Sequence, residues 1–519
     1  MGGMANAFSR LGLAAPDDAS GGTVCELRSR MWGQRQLDED QHELASDAVL
    51  LRLLDAQLMQ PFALPRNALH ATLLDPRAIY RRDALAPPQP ASSDAGHGFS
   101  HVLRWIVQMY TLTGSFSRVS ASAEVGEAPA ASSHQVSYDR IAWHDQEAYV
   151  SVVANDGGIY TMQIGKKCAW LKPPLRSSTH GAMSCVAARP FCAPGTLAAG
   201  FRTGWLGLWM RAEFKLFPAS HALHSGRPVA RLSWNADGSL LASSAAESDG
   251  RVVLWRPGDQ HGEPLRAVQP VWWTIARQLA RSPPICGPAS IAFQTPTDSV
   301  KASLSLVGAA GRFMRVWSTD GWHSESVSIS GTSGTGLRCS SWSPSGRTLL
   351  IGADQCIAVL RRDIQAPAHS GRRSAPLRLH HVESTAVGCV PVERSDGRVL
   401  VGGTPKAIAW DTLGERIAVM FAGECEPAAC LACEARGHAR RVCMDARAHL
   451  ICVYAVQEEP QFRMLPLGYI KGPSASAVPL SIQFRPLSQA DGSILAVLWS
   501  SQELTLIPFL YSSAVHRRS

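Results

Sequence analysis

Residues 231–255 read RLSWNADGSLLASSAAESDGRVVLW, and this stretch is the clearest guide to the fold. Three short apolar runs are separated by two turn signals, Asn-Ala-Asp-Gly from Asn235 and Ser-Asp-Gly from Ser248. Asn, Asp and Gly tolerate positive φ and bond to their own backbone, so they favour tight turns. Because no run is long enough for a helix, the pattern predicts an antiparallel meander of short strands.

The meander recurs, and with this stretch there are seven copies. The other six begin at Ile141, Cys185, Ile291, Cys339, Ile408 and Ile482. Each first run ends at an anchor position, which holds Trp143, Ala188, Trp234, Phe293, Trp342, Trp410 or Phe484. A period of about 40–45 residues with one meander in each is typical of a β-propeller. The sequence therefore predicts an all-β, seven-bladed WD-repeat-type propeller, with a β-sandwich as the alternative.

A fourth run follows most copies, which indicates four strands in a blade. These runs begin at Phe214, Pro264, Ser326, Pro376 and Phe462. Only SSAVHRRS remains after the last copy, and it is too short and polar to form a strand. We therefore expect the seventh blade to take a strand from just before the first copy, at 115–122 or 134–138. Such a strand would join the two chain ends and remove a free sheet edge.

Composition and charge narrow the class of protein. The chain has 519 residues, and its net charge of +8 is mild for that length. Thirteen cysteines, an odd number and mostly within predicted strands, indicate reduced thiols and a cytosolic or nuclear setting. With no signal-peptide pattern and no long apolar run, no transmembrane segment is expected. The basic clusters at 361–373 and 516–518 are typical of solvated loops, with nucleic acid binding as the less favoured alternative.

The sequence divides into an N-terminal region, a helical lead-in, the propeller and a basic tail. The expected bounds are 1–95 (partly disordered, with a helix near 38–60), 96–133 (amphipathic helix and linker), 134–511 (propeller, with insertions near 363–403 and 422–447) and 512–519 (tail). In the lead-in helix, apolar residues recur at helical spacing. This stripe either packs on the propeller or faces a partner or membrane. The candidate protein-docking residues are Phe99, Leu103, Trp105, Ile106 and Met109.

One stretch resembles a metal site. CEPAACLACEARGHARRVC contains a C-x2-C pair and further soft ligands nearby, namely Cys425, Cys430, Cys433, His438 and Cys443. Thiolates and imidazole at such spacing can bind zinc. The alternative is a long hairpin loop with incidental cysteines, which the missing second C-x2-C pair favours. We therefore expect no metal and no cofactor.

Catalytic motifs are missing from the sequence. There is no GxxxxGK[ST] phosphate-binding loop and no GxSxG nucleophile elbow. His144 lies in a turn, where a histidine is more often a hydrogen-bonded surface residue than a catalyst. The sequence therefore predicts a non-enzymatic protein with no small-molecule substrate.

Several stretches carry more than the repeat pattern. They are FMRVWSTDGW from Phe313, SWSPSGRTLL from Ser341, AIAWDTLGERIAV from Ala407, FRMLPLGYIKGPSASAVPLSIQFRP from Phe462 and ILAVLWSSQELTLIPFLY from Ile494. The copies mostly lack the Gly-His and Trp-Asp dipeptides of generic WD repeats. In order and spacing, these stretches resemble the aladin family of WD-repeat nucleoporins, over roughly residues 97–511.

The resemblance implies a component of the nuclear pore complex. Such a protein would sit at the nuclear envelope, dock on a pore-membrane nucleoporin, contact other nucleoporins and support nucleocytoplasmic transport. A propeller also suits holding partners in other assemblies, because it offers two wide faces and several blade edges. A scaffold of a ubiquitin ligase or a vesicle coat is therefore the alternative function.

Overall fold

Strands dominate the computed structural model of the chain. The residues that it describes are 23–27, 30–33, 62–63, 138–145, 149–164, 169–171, 174–190, 196–210, 213–217, 220–224, 226–246, 252–255, 288–294, 303–308, 313–319, 324–328, 337–353, 356–362, 379–387, 390–394, 397–422, 450–474, 477–486 and 492–510.

Thirty-one strands and one short helix lie in these ranges. In chain order they are β1 (Thr23–Leu27), β2 (Arg30–Gly33), β3 (Phe62–Ala63), β4 (Ile141–Trp143), β5 (Tyr149–Val153), β6 (Ile159–Gln163), β7 (Ala169–Trp170), β8 (Met183–Ala188), β9 (Leu197–Phe201), β10 (Leu206–Met210), β11 (Glu213–Leu216), α1 (Ser220–Leu223), β12 (Val229–Trp234), β13 (Leu241–Ala245), β14 (Val252–Trp255), β15 (Pro288–Phe293), β16 (Ser303–Gly308), β17 (Phe313–Ser318), β18 (Ser324–Ser328), β19 (Cys339–Trp342), β20 (Thr348–Ala353), β21 (Cys356–Arg362), β22 (Leu379–Ala386), β23 (Val390–Arg394), β24 (Gly397–Val401), β25 (Pro405–Trp410), β26 (Arg416–Phe421), β27 (Leu450–Gln457), β28 (Arg463–Lys471), β29 (Pro479–Phe484), β30 (Gly492–Trp499) and β31 (Glu503–Leu510).

The strands form a closed ring of seven meanders. Blades 1 to 7 are the sheets β4–β7, β8–β11, β12–β14, β15–β18, β19–β22, β25–β28 and β29–β31. The first strand of each blade contacts the first strands of its two neighbours, from β4 through β8, β12, β15, β19, β25 and β29 back to β4. A ring of meanders whose first strands surround one axis is a propeller. The predicted seven-bladed fold is therefore confirmed.

The anchor positions occupy the same place in every blade. Each of the seven anchors is the last residue of the first strand. In each blade the anchor pairs with an aliphatic residue of the second strand, which pairs in turn with a buried residue of the third. The rows are Trp143–Val150–Met162, Ala188–Leu197–Trp209, Trp234–Leu241–Trp255, Phe293–Leu304–Trp317, Trp342–Leu349–Leu360, Trp410–Ile417–Tyr454 and Phe484–Leu495–Ile507. One register is therefore repeated around the whole ring.

The fourth strands agree with the sequence where the structure describes them. The runs expected from Phe214, Ser326, Pro376 and Phe462 correspond to β11, β18, β22 and β28. Blade 1 also has a short fourth strand, β7, which the sequence pattern did not indicate. The run at Pro264 lies outside the described residues. Within the insertion near 363–403, β22 completes blade 5, and β23 and β24 form a separate hairpin. Of the insertion near 422–447, only Ala422 is described.

The last blade takes strands from the N-terminal part of the chain, but not from the expected donors. β1 pairs in parallel with β31 at Phe509 and Leu510, and β3 pairs antiparallel with β31 at Glu503 and Leu504. β2 extends this sheet through β1 and also lies against β28 of blade 6. The expected donors at 115–122 and 134–138 lie outside the described residues, apart from Tyr138, which is not in a strand. An edge strand pairs with any extended backbone that reaches it, and side-chain pattern alone does not identify the donor.

Candidate binding surfaces

The two faces of the ring differ in their loops. Each first strand ends on what we call the lower face, which carries the turns after the anchors. The upper face carries the turns between second and third strands and the connections from one blade to the next. These faces are the surfaces that a propeller presents to partners.

At one point of the upper face, blades 1, 2 and 7 meet around Asn155. Arg140 Nη1 donates to Asn155 Oδ1 at 2.8 Å, and Arg202 Nη2 donates to the Asn155 backbone oxygen at 3.5 Å. The Asn155 N–H donates to Gln502 Oε1 at 2.8 Å. We call Arg140, Asn155, Arg202 and Gln502 the Asn155 corner. It links the first and last blades of the ring through polar side chains.

Two arginines in the Asn155 corner act on each other. Burial lowers the pKa of the Arg140 guanidinium, and the positive charge of Arg202 lowers that pKa further. Arg202 is exposed, whereas Arg140 is partly buried and lies over the ring of Tyr138, with 5.8 Å from Cζ to the ring centroid. Two guanidinium groups are therefore held near one another on the upper face of the ring.

The lower face uses arginines differently. Arg189 and Arg485 each follow an anchor, and each lies over the anchor tryptophan of the next blade. Arg189 Cζ is 5.4 Å from the Trp234 ring centroid, and Arg485 Cζ is 6.0 Å from that of Trp143. Arg189 Nε also donates to the Gly238 carbonyl at 2.7 Å. These cations stabilise junctions between blades through cation–π contacts, so they are engaged within the fold.

The two most buried histidines are structural. His144 Nε2 is 3.0 Å from Ser151 Oγ, and His224 Nε2 is 3.1 Å from Ser243 Oγ. Trp255 Nε1 donates to the same Ser243 hydroxyl at 2.7 Å. Burial lowers the pKa of both imidazoles to about 4, which keeps them neutral at physiological pH. The expectation of a surface role for His144 was wrong, because its ring lies inside blade 1.

The residues that the sequence singled out lie elsewhere in the chain. The candidate docking residues Phe99, Leu103, Trp105, Ile106 and Met109 fall outside the described residues, as does the helix expected near 38–60. The cysteine- and histidine-containing stretch at 425–443 also falls outside them. These candidates stay predictions. The Asn155 corner was missed, since its members are far apart in sequence and match no motif.

Two negative findings concern the described ranges. There, no three or more His, Cys, Asp or Glu side chains come together in a way that could hold a metal ion. None of the helices in the same ranges has the length and apolarity that crossing a bilayer requires.

A comparison with known proteins confirms the resemblance to the aladin family. The chain is 24% identical over 353 residues to Aladin from Arabidopsis thaliana, and the match covers 68% of this chain. The matched part spans 63% of the length of that relative. No family model matches the chain.

Solved propeller structures are also similar. The β-propeller domain of Cps50 (Swd1) from Myceliophteria thermophila has 14% identity and a TM-score of 0.44, covering 72% of this chain and 97% of that one. A chain of a mitotic checkpoint complex has 11% identity and a TM-score of 0.46, covering 76% of this chain and 100% of that one.

Proposed function

We propose that this protein is a non-enzymatic adaptor of the nuclear pore complex, similar in role to aladin. The match to Aladin over 353 residues is the observation that carries the proposal. The resemblance of the C-terminal stretches to the aladin family implies a location at the nuclear envelope. It also implies docking on a pore-membrane nucleoporin and a supporting role in nucleocytoplasmic transport.

The geometry of the ring is compatible with an adaptor. In a closed ring of blades, only the outermost strands leave free sheet edges. The first strands surround the axis and support the loops of both faces. The buried histidines His144 and His224 are occupied by hydrogen bonds to serine hydroxyls. We therefore expect the protein to act by presenting surfaces to protein partners rather than by turning over a substrate.

The lead-in helix is the proposed docking element. Its apolar stripe includes Leu103 and Ile106, which are spaced so as to share one helix face. A helix of this kind can lay its apolar side into a groove of a partner. The partner that the family resemblance implies is a nucleoporin of the pore membrane.

Imaging tests the location. A fluorescent tag is fused after Ser519 and observed in the same cells as a marked pore component. We expect a punctate nuclear rim that coincides with the marker. A diffuse signal, or a signal on vesicles, from intact protein would contradict the proposal and favour a scaffold of another assembly.

A pair of matched variants tests the docking element. Leu103→Glu with Ile106→Glu places two charges on the apolar stripe and is expected to abolish the rim signal. Leu413→Glu with Leu465→Glu is the control, because these leucines are 40% and 58% exposed on blade 6. If both double variants reach the rim equally well, the lead-in helix is not the docking element.

A further inference from the structure

The Asn155 corner presents positive charge that the described residues do not neutralise. Within the part of the chain that the structure describes, the guanidinium groups of Arg140 and Arg202 donate only to oxygens of Asn155, which are neutral. Their mutual repulsion lowers the pKa of Arg140 beyond the effect of burial. Holding two cations together costs free energy unless an anion binds between or above them.

Two of the three carboxylates next to the corner in sequence, Asp139 and Asp156, are already in ion pairs. The third, Glu503, accepts from the Ser501 hydroxyl at 2.7 Å. Asp139 forms an ion pair with Arg231 of blade 3, and its second oxygen accepts from the Leu232 N–H at 3.4 Å. The Asp139 carboxylate therefore already has partners in blade 3 and does not neutralise the corner.

Asp156 is committed in the same way. It forms an ion pair with Arg176, accepts from the Tyr160 hydroxyl at 2.7 Å, and accepts from the Gly158 N–H at 2.9 Å. With both ion pairs counted as neutral, the two positive charges of Arg140 and Arg202 exceed the single negative charge of Glu503.

A third donor lies in the same corner. Gln502 Oε1 accepts from Asn155, but Gln502 Nε2 is buried and has no hydrogen-bond partner among the described residues. Gln502 also has a φ of 61°, the left-handed region that non-glycine residues rarely adopt. Such strained positions are enriched at binding sites. The corner therefore has donors in excess and lacks an acceptor.

We propose that the Asn155 corner binds carboxylate side chains of an acidic segment in a partner protein. Guanidinium groups bind carboxylates through paired, charge-assisted hydrogen bonds. Arg140 and Arg202 are tied to different atoms of Asn155, which keeps them side by side and suits successive carboxylates of one peptide. The site opens on the upper face, where a peptide can reach it. This inference names a partner for the proposed adaptor function and rests on it.

Fluorescence polarisation tests the site directly with the purified full chain. The probe is fluorescein-labelled hexaglutamate, and the competitors are unlabelled hexaglutamate, hexalysine and tripolyphosphate. We expect saturable binding that weakens as salt rises, competition by hexaglutamate, and no competition by hexalysine.

Variants locate the binding. Arg202→Gln is expected to lower the affinity for the labelled hexaglutamate about fivefold, because it removes one exposed charge pair. Adding Arg140→Gln is expected to bring the loss to at least about twentyfold, because a partly buried charged hydrogen bond contributes more. Arg463→Gln is the matched control, since Arg463 is exposed on the lower face of blade 6. We expect it to bind within about twofold of the original protein.

Three outcomes would overturn the inference. They are the absence of saturable hexaglutamate binding, equal weakening by Arg463→Gln and Arg202→Gln, and displacement by tripolyphosphate at concentrations where hexaglutamate has no effect. The last would identify a phosphate ligand instead. Because this assay needs no pore, failed peptide binding with an intact rim signal rejects only this inference. Intact peptide binding without a rim signal rejects only the proposed location.

Discussion

The junction between blades 2 and 3 and the junction between blades 7 and 1 contain the same kind of hydrogen bond. They differ in the other contacts that stabilise them. Trp234 Nε1 donates to the Ala187 carbonyl at 3.4 Å, and Trp143 Nε1 donates to the Gln483 carbonyl at 3.1 Å. In both cases an anchor indole joins its blade to the one before it. The chain runs through the first junction, whereas the second closes the ring.

The junction between blades 2 and 3 is stabilised by buried hydrogen bonds and close packing. Cys185 Sγ donates to the Val229 carbonyl at 3.2 Å, and Ser184 Oγ donates to the same oxygen at 2.6 Å. Gly200 lies so close that a Cβ there would be 2.5 Å from Val229 Cβ. Burial raises the pKa of the Cys185 thiol, so this group stays protonated and inert.

The junction between blades 7 and 1 is stabilised by a hydrogen bond at the surface and by strands from the N-terminal part of the chain. The bond between Asn155 and Gln502 lies on the upper face, and β1 and β3 pair with β31 at the outer edge. A repeat can therefore use the same anchor in every blade, while the contacts that support each junction depend on whether the chain runs through it.

The largest expected effect is at the inner junction. Gly200→Ala forces a Cβ against Val229 and against Cys185 Sγ at 2.6 Å, and we expect a loss of about 3 kcal/mol in the free energy of unfolding. Urea unfolding measures it. Gly181→Ala is the control, because its nearest neighbour is 3.6 Å away and only its φ of 84° is unfavourable. We expect about 1–2 kcal/mol there. Equal losses would mean that close packing is not the cause.

The next largest effects are expected from removing the indole N–H of an anchor tryptophan. The loss of stability should decrease from Trp143 to Trp234 to Trp410. Trp143→Phe leaves the Gln483 carbonyl without its donor, and we expect a loss of about 2 kcal/mol. Trp234→Phe breaks a longer bond and should cost less. Trp410 Nε1 is buried with no hydrogen-bond partner among the described residues, so Trp410→Phe should cost least. Thermal unfolding of the three variants gives the order, and a largest loss at Trp410 would contradict the role of the indole bond.

Acid should weaken blade 1 through His144, and the contact between blade 3 and the connection before it through His224. Because the pKa values of His144 and His224 are lowered to about 4, the unfolded chain binds protons that the folded chain does not between about pH 6.5 and 4. Stability therefore falls as the pH falls through this window, by about 1 kcal/mol per histidine from pH 7 to 5.5. Asp145, whose pKa burial raises to about 6, opposes this trend.

A histidine variant isolates this effect. His224→Gln should lose about 1 kcal/mol less than the original protein between pH 7 and 5.5, as measured by urea unfolding. An unchanged pH dependence in His224→Gln would show that this imidazole is not held neutral.

The smallest effect is expected at the closing junction. Gln502→Gly removes the bond to Asn155 but relieves the left-handed backbone at φ 61°. Loss of the hydrogen bond and relief of the backbone each change the free energy of unfolding by about 0.5–1 kcal/mol, with opposite signs. The melting temperature should therefore hardly change. A loss of more than about 2 kcal/mol would show that ring closure depends on this surface bond as strongly as the inner junction depends on Gly200.

The repeat follows from local sequence pattern alone. Turn residues and apolar runs act over a few neighbouring residues, so the meander around Trp234, the seven copies and all seven anchors could be predicted from that pattern. The folded ring, in contrast, determines which strands complete β31, that the His144 ring is buried, and that Arg140, Asn155, Arg202 and Gln502 come together. The reason is that these contacts join residues up to 483 positions apart, such as Glu26 and Phe509. Backbone pairing and charge proximity over such separations depend on how the ring closes, and no local spacing encodes that.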